Sequence, residues 1–267
     1  MSQEQTASYV LITGTTSGLG REFARLFAQN GYNIVAVARN EVLLQQQKQE
    51  LERQFGIEMV YVVKDLSAEN SAQEVYDEIK HKGINIDILI NNAGFGSFGR
   101  YIDVDWQRQK GLASVNMLAV MQLSYLFGKD MDRHGEGKIV NIASIASFQA
   151  GPYMAMYYAS KAFVRSFSEA LHEEMKSSGV SVTAICPGPV ATNFERNANM
   201  INSAMFTRLR VYTPEVVAAR SYRAIMNNKA VYVVGWPNKL LVFLTRFCSL
   251  KFSRALASKI NLGSGRK

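Results

Sequence analysis

Two adjacent tyrosines precede a lysine in the stretch YMAMYYASKAF, which begins at Tyr153. Residues four apart on a helix lie on the same face, so Tyr157 would share a face with Lys161 while Tyr158 would not. A lysine ammonium favours the phenolate and lowers the pKa of a neighbouring tyrosine, which is otherwise about 10. Such a tyrosine can donate a proton to a carbonyl oxygen that gains negative charge in a reaction. The spacing favours Tyr157 as a candidate acid, although a short motif of this kind also occurs by chance among core aromatic residues.

A glycine-rich turn provides a second candidate site. The stretch VLITGTTSGLGREF places Gly14, Gly18 and Gly20 between an apolar run and a segment of helical period. Backbone N–H groups at the start of a helix attract phosphate, and glycine lets a pyrophosphate approach closely. The spacing G-x-x-x-G-x-G differs from the dinucleotide fingerprint G-x-G-x-x-G. A turn that is purely architectural is therefore the alternative for these glycines.

The elements that would position these residues follow a regular alternation of strands and helices. We predict strands at residues 9–13, 33–38, 58–63, 86–91, 138–143, 180–186 and 230–235. Segments of helical period lie between them, at 18–30, 40–55, 71–82, 105–133, 157–178 and 214–227. This alternation is typical of repeated β-α-β units around a parallel sheet. The predicted fold class is α/β: a single Rossmann-like doubly wound sheet of about seven strands with helices on both faces.

Taken together, the motifs resemble those of the short-chain dehydrogenase/reductase family in order and approximate spacing, over residues 8 to 235. The matching stretches are TGTTSGLG, NNAG at 91–94, Asn116, Ser144, Tyr157-x-x-x-Lys161 and PGPVAT at 187–192. The stretch NNAGFGSFG and the basic C-terminal extension are similar, more narrowly, to bacterial members of broad or unassigned specificity. The resemblance implies a reversible oxidoreductase that reduces a ketone or aldehyde to an alcohol.

The resemblance assigns a role to each of four candidate catalytic residues. Tyr157 would be the general acid, and Ser144 would give the second hydrogen bond to the substrate oxygen. Lys161 would lower the pKa of Tyr157 and bind the nicotinamide ribose. Asn116 would hold a water in a proton relay behind the lysine. Without the full set, a serine at a strand end and a buried amide with its hydrogen bonds satisfied would be the ordinary interpretations.

The same resemblance places a nicotinamide dinucleotide along the sheet edge. The residues expected to bind it are Gly14, Ser17, Gly18, Leu19, Gly20, Arg39, Asp65, Asn91, Ala93, Tyr157, Lys161, Pro187, Gly188, Val190 and Thr192. Other roles remain open for some of them, because Asp65 and Thr192 could cap helices and Asn91 could tie two strands together.

The residues at the end of the second predicted strand indicate which dinucleotide the protein uses. An acid there would bind the free ribose hydroxyls of NAD, whereas this chain has Ala38 followed by Arg39. An arginine can hold a phosphate with two hydrogen bonds, so we predict NADP(H) rather than NAD(H). A solvated arginine at the start of a surface loop is the alternative.

Apolar side chains next to the motifs suggest the substrate class. We expect Phe95, Phe98, Tyr153 and Phe194 to line the substrate pocket, and the long segment 188–213 to form a lid. Such residues favour a bulky, apolar ketone or aldehyde, although each could equally be a core or subunit contact. Two alternatives remain: a reductase of 3-oxoacyl thioesters carried by an acyl carrier or coenzyme A, and a catalytically silent NADP-binding sensor.

Basic charge is concentrated in the C-terminal quarter. The net charge is +8, yet thirteen Lys/Arg and one acid, Glu215, follow residue 195. We divide the chain into a catalytic domain at 1–237 and a basic amphipathic extension at 238–267. Segment 238–260 could lie weakly on an anionic membrane, cover a neighbouring subunit's site or pack on its own sheet.

The remaining expectations concern location and partners. The polar start of the sequence, MSQEQTAS, favours a cytoplasmic protein. We expect a homodimer or homotetramer acting on a small-molecule carbonyl substrate. No nucleic-acid partner is expected, because no nucleic-acid-binding motif accompanies the charge. The two cysteines and three histidines show no metal-ligand spacing, so no metal site is expected.

Overall fold

The chain folds around one seven-stranded parallel sheet. The computed structural model describes residues 8–192, 194 and 210–262. The strands, in chain order, are β1 (Tyr9–Thr13), β2 (Asn33–Ala38), β3 (Met59–Val63), β4 (Ile88–Asn91), β5 (Gly137–Ile142), β6 (Val180–Cys186) and β7 (Val231–Val233). They lie in the order β3-β2-β1-β4-β5-β6-β7, and every neighbouring pair is parallel. The predicted α/β, doubly wound fold is confirmed.

Helices connect the strands and cover both faces of the sheet. They are α1 (Gly18–Gln29), α2 (Glu41–Phe55), α3 (Ser71–His81), α4 (Trp106–Ala113), α5 (Ala119–His134), α6 (Ala155–Glu174), α7 (Pro214–Met226), α8 (Trp236–Thr245) and α9 (Leu250–Leu262). A π-helical turn, Ser114–Leu118, joins α4 to α5 without a break. The predicted helix at 105–133 therefore consists of three pieces.

The run Trp106–His134 is long and apolar enough to cross a membrane by length and composition. It lies against the sheet instead, where its Leu123, Phe127 and Met131 are buried in the core. The apolar composition of this run is that of a helix buried in the core of the fold.

The core has two layers because side chains of a strand alternate between the two faces of a sheet. Along β1, Val10 and Ile12 lie in the layer under α1 and α7, where Phe23 and Phe27 are fully buried. Leu11, between them, belongs to the opposite layer, which α3 and α5 complete. Both faces of β1 are thus covered, as parallel sheets require.

A chain of buried polar side chains crosses the middle of the sheet. Asn91 on β4 donates through Nδ2 to Asn141 Oδ1 on β5 at 2.8 Å and to Ser124 Oγ at 3.1 Å. Asn141 donates in turn to Ser168 Oγ at 2.9 Å, and Ser168 donates to Val164 O at 2.7 Å. This polar ladder joins α5, β4, β5 and α6 side by side.

Candidate active site

A large cavity lies beyond the carboxyl ends of the central strands. It has a volume of about 1130 Å³ and follows the loops after β1, β2, β4, β5 and β6. In this sheet, β1 and β4 are neighbours whose connections leave in opposite directions along the sheet, which opens a crevice at their ends. Such crevices are the usual ligand sites of open α/β sheets.

The glycine-rich turn forms one end of the cavity. Gly14 has a φ of +73° and Gly18 a φ of +55°, conformations that glycine adopts without strain. A Cβ at Gly18 would lie 3.0 Å from the Thr192 side chain, so the turn and the loop after β6 nearly touch. Ser17 begins α1 without a side-chain hydrogen bond to the helix, and the first turn has no acid. The turn therefore presents backbone N–H groups suited to an anion.

Tyr157 lies in the wall of the cavity beside Ser144. Burial raises the pKa of the Tyr157 hydroxyl to about 12, although a hydrogen bond with Ser144 acts in the opposite direction. Ser144 begins a short 3₁₀ helix, and its Oγ accepts a hydrogen bond from Ala146 N at 3.1 Å. That bond fixes the serine hydroxyl next to the tyrosine. The two hydroxyls predicted to act together are brought together.

Lys161 is buried one turn after Tyr157, on the same face of α6. Its Nζ donates to Ile142 O at 2.7 Å and lies 5.9 Å from the centroid of the Tyr157 ring. Burial lowers the pKa of Lys161 to about 8. A charged ammonium is thus held at the end of β5, behind the tyrosine.

The direction of the Tyr157 shift differs from the expectation drawn from the spacing. The spacing predicts that an adjacent ammonium lowers the pKa of this tyrosine, whereas burial dominates and raises it. The physical reason is burial, which disfavours the charged tyrosinate, while Lys161 directs its Nζ at the Ile142 carbonyl. The protonated hydroxyl, which is the form that a proton donor needs, is favoured as a result.

These two pKa values predict how reduction depends on pH. Lys161 is charged below about pH 8 and neutral above it, while Tyr157 stays protonated to about pH 12. We expect kcat for reduction to be level below about pH 8 and to fall above it as the ammonium is lost. The measurement is a pH profile at saturating cofactor. In Lys161→Met the residual rate should lack this descending limb, and an unchanged limb would contradict the assignment.

Asn116 is held in the π-helical turn between α4 and α5 and is fully buried. Its Oδ1 accepts from Phe95 N at 3.1 Å, and its Nδ2 donates to Phe95 O at 3.0 Å and to Ser160 Oγ at 3.2 Å. The amide therefore ties the loop after β4 to α6. A Cβ at Gly94 would lie 3.1 Å from Asn116 Oδ1 and 3.5 Å from Lys161 Nζ, so this glycine packs closely against the Asn116 amide.

The far end of the cavity is bordered by Arg39 and Asp65. Arg39 Nη1 lies 3.8 Å from Asp65 Oδ2, and the arginine side chain is 77% exposed. Asp65 Oδ1 accepts from Ser67 N at 2.9 Å and from Ser67 Oγ at 2.7 Å. Burial acts to raise the pKa of Asp65, but these hydrogen bonds and Arg39 outweigh it and hold the pKa below its usual value. Asp65 is thus an anion that also forms the tight turn that follows β3.

Most of the other predicted cofactor residues line the cavity as well: Gly14, Ser17, Gly18, Leu19, Ala93, Pro187, Gly188, Val190 and Thr192. Two of the predicted residues lie behind the wall. A Cβ at Gly20 would come within 2.2 Å of Gly14 O, so this glycine permits close packing of α1 against the turn. Asn91 belongs to the polar ladder, which is the strand-tying role left open by the sequence.

The four predicted substrate residues divide in the same way. Phe95 and Phe194 line the cavity. Phe98 and Tyr153 do not line it. Their rings lie 6.3 Å apart, and Phe98 packs against a small apolar cluster formed by Ala146, Met154 and Tyr158. The lid predicted at 188–213 falls mostly on residues 193 and 195–209, which lie outside the described residues.

Helices α8 and α9 supply a wall of the cavity that the sequence did not assign to it. Their lining residues are mostly apolar: Leu241, Val242, Leu244, Thr245, Cys248, Phe252, Ser253, Leu256, Ala257 and Ile260. The extension therefore covers the cavity of its own chain, rather than packing on the sheet. Its apolar positions at helical spacing were visible in the sequence, but nothing in them indicated which surface they would contact.

Tyr158, the neighbour of the candidate acid, anchors this wall. Its hydroxyl donates to Asn261 Oδ1 at 3.1 Å, and Asn261 Nδ2 donates to Pro152 O at 2.8 Å. Ser253 Oγ also donates to Gln149 Oε1 at 3.0 Å. The two adjacent tyrosines thus have different roles. Tyr157 borders the cavity next to Ser144, and Tyr158 holds α9 in place.

Comparison with known proteins agrees with this geometry. The family model described as short chain dehydrogenase matches residues 8–202. Among curated proteins, the very-long-chain 3-oxoacyl-CoA reductase of Bos taurus is 34% identical over 195 residues, covering 70% of this chain and 61% of the relative. The chain thus spans about three fifths of the length of the curated relatives it matches first.

Two solved structures resemble nearly the whole chain. A short-chain dehydrogenase from Sphingobium yanoikuyae, in complex with NADPH, has a TM-score of 0.81 and 26% identity, covering 90% of this chain and 93% of that one. A bulky-bulky ketone specific alcohol dehydrogenase from Comamonas testosteroni has a TM-score of 0.77 and 26% identity, covering 91% and 93%.

Proposed function

This chain belongs to the short-chain dehydrogenase/reductase family, and from that premise we propose that it is an NADP(H)-dependent oxidoreductase that reversibly reduces a bulky, apolar ketone or aldehyde to an alcohol. The observation that carries the proposal is the Tyr157–Ser144 pair, with Lys161 behind it, in the wall of a large and mainly apolar cavity. The complex of a related structure with NADPH supports the choice of cofactor.

The residues present fit a dinucleotide phosphate. Gly14 and Gly18 leave a space that side chains would fill, and Ser17 keeps its hydroxyl free of the helix cap. Backbone N–H groups of this turn would hold the pyrophosphate, and Thr192 would contact the nicotinamide end. Arg39 would hold the ribose phosphate. When bound, the cofactor supplies the hydride.

The chain itself handles the proton. Tyr157 Oη, kept protonated by burial, donates its proton to the carbonyl oxygen as negative charge develops there. Ser144 Oγ gives that oxygen a second hydrogen bond. The Lys161 ammonium stabilises the tyrosinate that remains after donation, since the two groups are already within 5.9 Å in the resting protein. Asn116 keeps the loop after β4 and α6 in register for this arrangement.

A second candidate substrate, a 3-oxoacyl thioester, is favoured by one comparison. The Bos taurus relative is named as a very-long-chain 3-oxoacyl-CoA reductase. Such a substrate has a long apolar chain beside the ketone, which the lining of α8 and α9 would accommodate. Its phosphate-bearing coenzyme would meet the excess of basic residues in the C-terminal quarter.

One assay separates these candidates. NADPH and NADH oxidation would be followed with bulky ketones that lack a thioester, with long-chain 3-oxoacyl-CoA esters, and with small aldehydes. Faster turnover of the bulky ketones supports the first proposal, and preference for the thioesters supports the second. A protein that binds NADPH tightly but oxidises it with no substrate would contradict both and favour a sensor.

Cofactor preference gives a direct test of Arg39. In Arg39→Asp, the ratio of kcat/KM with NADPH to kcat/KM with NADH should fall by about 10 to 100-fold, because a charge-assisted hydrogen bond of about 1.5–3 kcal/mol is replaced by repulsion. Arg53→Asp, an exposed arginine at the end of α2, is the matched control. An unchanged ratio in Arg39→Asp would show that this arginine is merely solvated.

Subunit contacts belong to the proposal as well. We expect a homodimer or homotetramer built on α4, α5 and α6. The exposed large apolar residues here are Trp106 on α4, Leu118 in the π-helical turn, and Met121 and Tyr125 on α5. Sedimentation of the purified protein checks the assembly.

A further inference from the structure

Helices α8 and α9 have an unusual burial pattern: they bury mainly small or polar side chains and expose many large apolar ones. The residues that α9 buries are small or polar, Ser253, Ala257 and Asn261, and α8 buries Asn238 and Val242. Most of the large apolar side chains of both helices are exposed, and three of the exposed ones, Leu244, Phe252 and Leu256, also border the cavity. A surface helix of a water-soluble protein ordinarily has the opposite pattern, with its apolar stripe towards the core.

The exposed apolar surface is concentrated in this segment. In the described part of the chain, eighteen large apolar residues are exposed, and eight of them fall within 236–262. They are Trp236, Leu240, Phe243, Leu244, Phe247, Leu250, Phe252 and Leu256. We call these eight residues the C-terminal apolar surface, because they are close together along the chain, unlike the singly scattered exposed residues found on every protein.

Helical spacing brings part of this surface into one stripe. Leu240, Phe243 and Leu244 follow the pattern i, i+3, i+4 along α8. Phe247, just after the helix, continues the stripe, with its ring 5.1 Å from that of Phe243. Phe247 is 74% and Leu250 80% exposed, so the turn between the helices presents two largely exposed apolar side chains.

The charges around this surface identify its partner. Between residues 236 and 262 there are five basic residues and no acid: Lys239, Arg246, Lys251, Arg254 and Lys259. All five are exposed. Apolar side chains interleaved with lysine and arginine suit the interface of an anionic bilayer, where apolar groups enter the acyl boundary and cations meet the lipid phosphates. A two-fold contact with a second copy would instead set like charges against each other.

We propose that the C-terminal apolar surface docks the protein on an anionic membrane. Docking would place the cavity next to the bilayer, because Leu244, Phe252 and Leu256 are exposed and also line the cavity. This part of the inference rests on the proposed function: an apolar carbonyl compound dissolved in the bilayer would pass between α8 and α9 to reach Tyr157. The substrate would then reach the cavity without passing through water.

Vesicle binding tests the proposal without reference to catalysis. Full-length protein would be mixed with phosphatidylcholine vesicles with and without about 30 mol% phosphatidylserine, at low and high salt. We expect binding at least about tenfold tighter to the anionic vesicles, and weakening with salt. Absence of binding at low salt would overturn the proposal.

Tryptophan emission reports which surface docks. The two tryptophans are Trp236, at the start of α8, and Trp106, at the start of α4. In Trp106→Phe, the remaining Trp236 should shift to the blue on vesicle binding and be quenched by brominated lipid. In Trp236→Phe, the remaining Trp106 should show neither change. The reverse result would place the membrane contact elsewhere and overturn the proposal.

Two surface variants and their controls complete the test. Phe247→Ser/Leu250→Ser and Lys251→Glu/Arg254→Glu should each weaken vesicle binding by about tenfold or more. Their controls outside α8 and α9, Ile102→Ser and Arg53→Glu/Lys176→Glu, should bind as the unaltered protein does. Equal binding by all of them would overturn the proposal. The proposal would also be overturned if the protein did not bind vesicles and formed a dimer that Phe247→Ser/Leu250→Ser dissociates. The surface would then be a subunit contact.

Activity on a water-soluble ketone, without vesicles, separates this inference from the proposed function. None of the four altered surface residues lines the cavity, so both variants should keep that activity. Normal reduction with no vesicle binding defeats only the docking surface. Vesicle binding with no reduction of any carbonyl defeats only the proposed reaction.

Discussion

Tyr157→Phe should lower kcat for carbonyl reduction by about 10² to 10⁴-fold, with little change in folding. The substitution removes a hydroxyl that borders the cavity with a hydrogen bond to Ser144 and an ammonium behind it. The ring keeps its contact with Phe194, whose centroid lies 5.2 Å away. Steady-state kinetics and thermal unfolding measure the two effects. NADPH binding, followed by fluorescence, should persist.

The neighbouring tyrosine is a matched control. Tyr158→Phe also removes one buried hydroxyl, but that hydroxyl bonds Asn261 on α9 and has no part in proton donation. We expect a loss of stability of about 1 kcal/mol and a kcat change below about tenfold. Wild-type turnover in Tyr157→Phe, or an equally large loss in Tyr158→Phe, would contradict the assignment of the proton donor.

Gly20→Ala should have the largest effect on stability. A Cβ at this position would lie 2.2 Å from Gly14 O and 2.5 Å from Asn92 Nδ2, so the backbone of the turn must move. We expect a loss of about 3 kcal/mol in the free energy of unfolding, which lowers Tm by about 6–12 °C. The displaced turn should also weaken NADPH binding by about tenfold or more. Thermal unfolding and fluorescence titration measure the two.

Gly111→Ala, within α4, is the control for a glycine substitution as such. Its Cβ would meet only ordinary contacts, the nearest being Phe95 Cζ at 3.7 Å. Alanine favours a helix more than glycine does, so Tm should be unchanged or slightly higher. If both variants were equally stable, close packing at Gly20 would not be what the turn requires.

Much of this molecule could be predicted because its signals are local. The strand Tyr9–Thr13 and the glycines after it follow from an apolar run and a turn, and both occur as predicted. Tyr157 and Lys161 share a face because four residues make about one helical turn. These inferences need only neighbours in the sequence.

The rest depended on contacts between distant parts of the chain. The roles of Gly20 and Asn91 depend on contacts with Gly14 and Asn141, and the sequence alone left both a cofactor role and an architectural role open for them. The pKa of Tyr157 is decided by burial, which spacing does not reveal. Which surface α9 would cover depended on Asn261 meeting Tyr158, residues 103 apart.

The polar ladder across the sheet also affects the alignment of strands β4 and β5. Asn91 and Asn141 are paired in register on β4 and β5. A slip of one residue would turn an amide towards the opposite, apolar layer and leave its hydrogen bonds unmade. Apolar strands rich in isoleucine and valine tolerate such slips, whereas these two amides make only one alignment favourable. The ladder thus favours the native alignment of β4 and β5 over one shifted by a single residue.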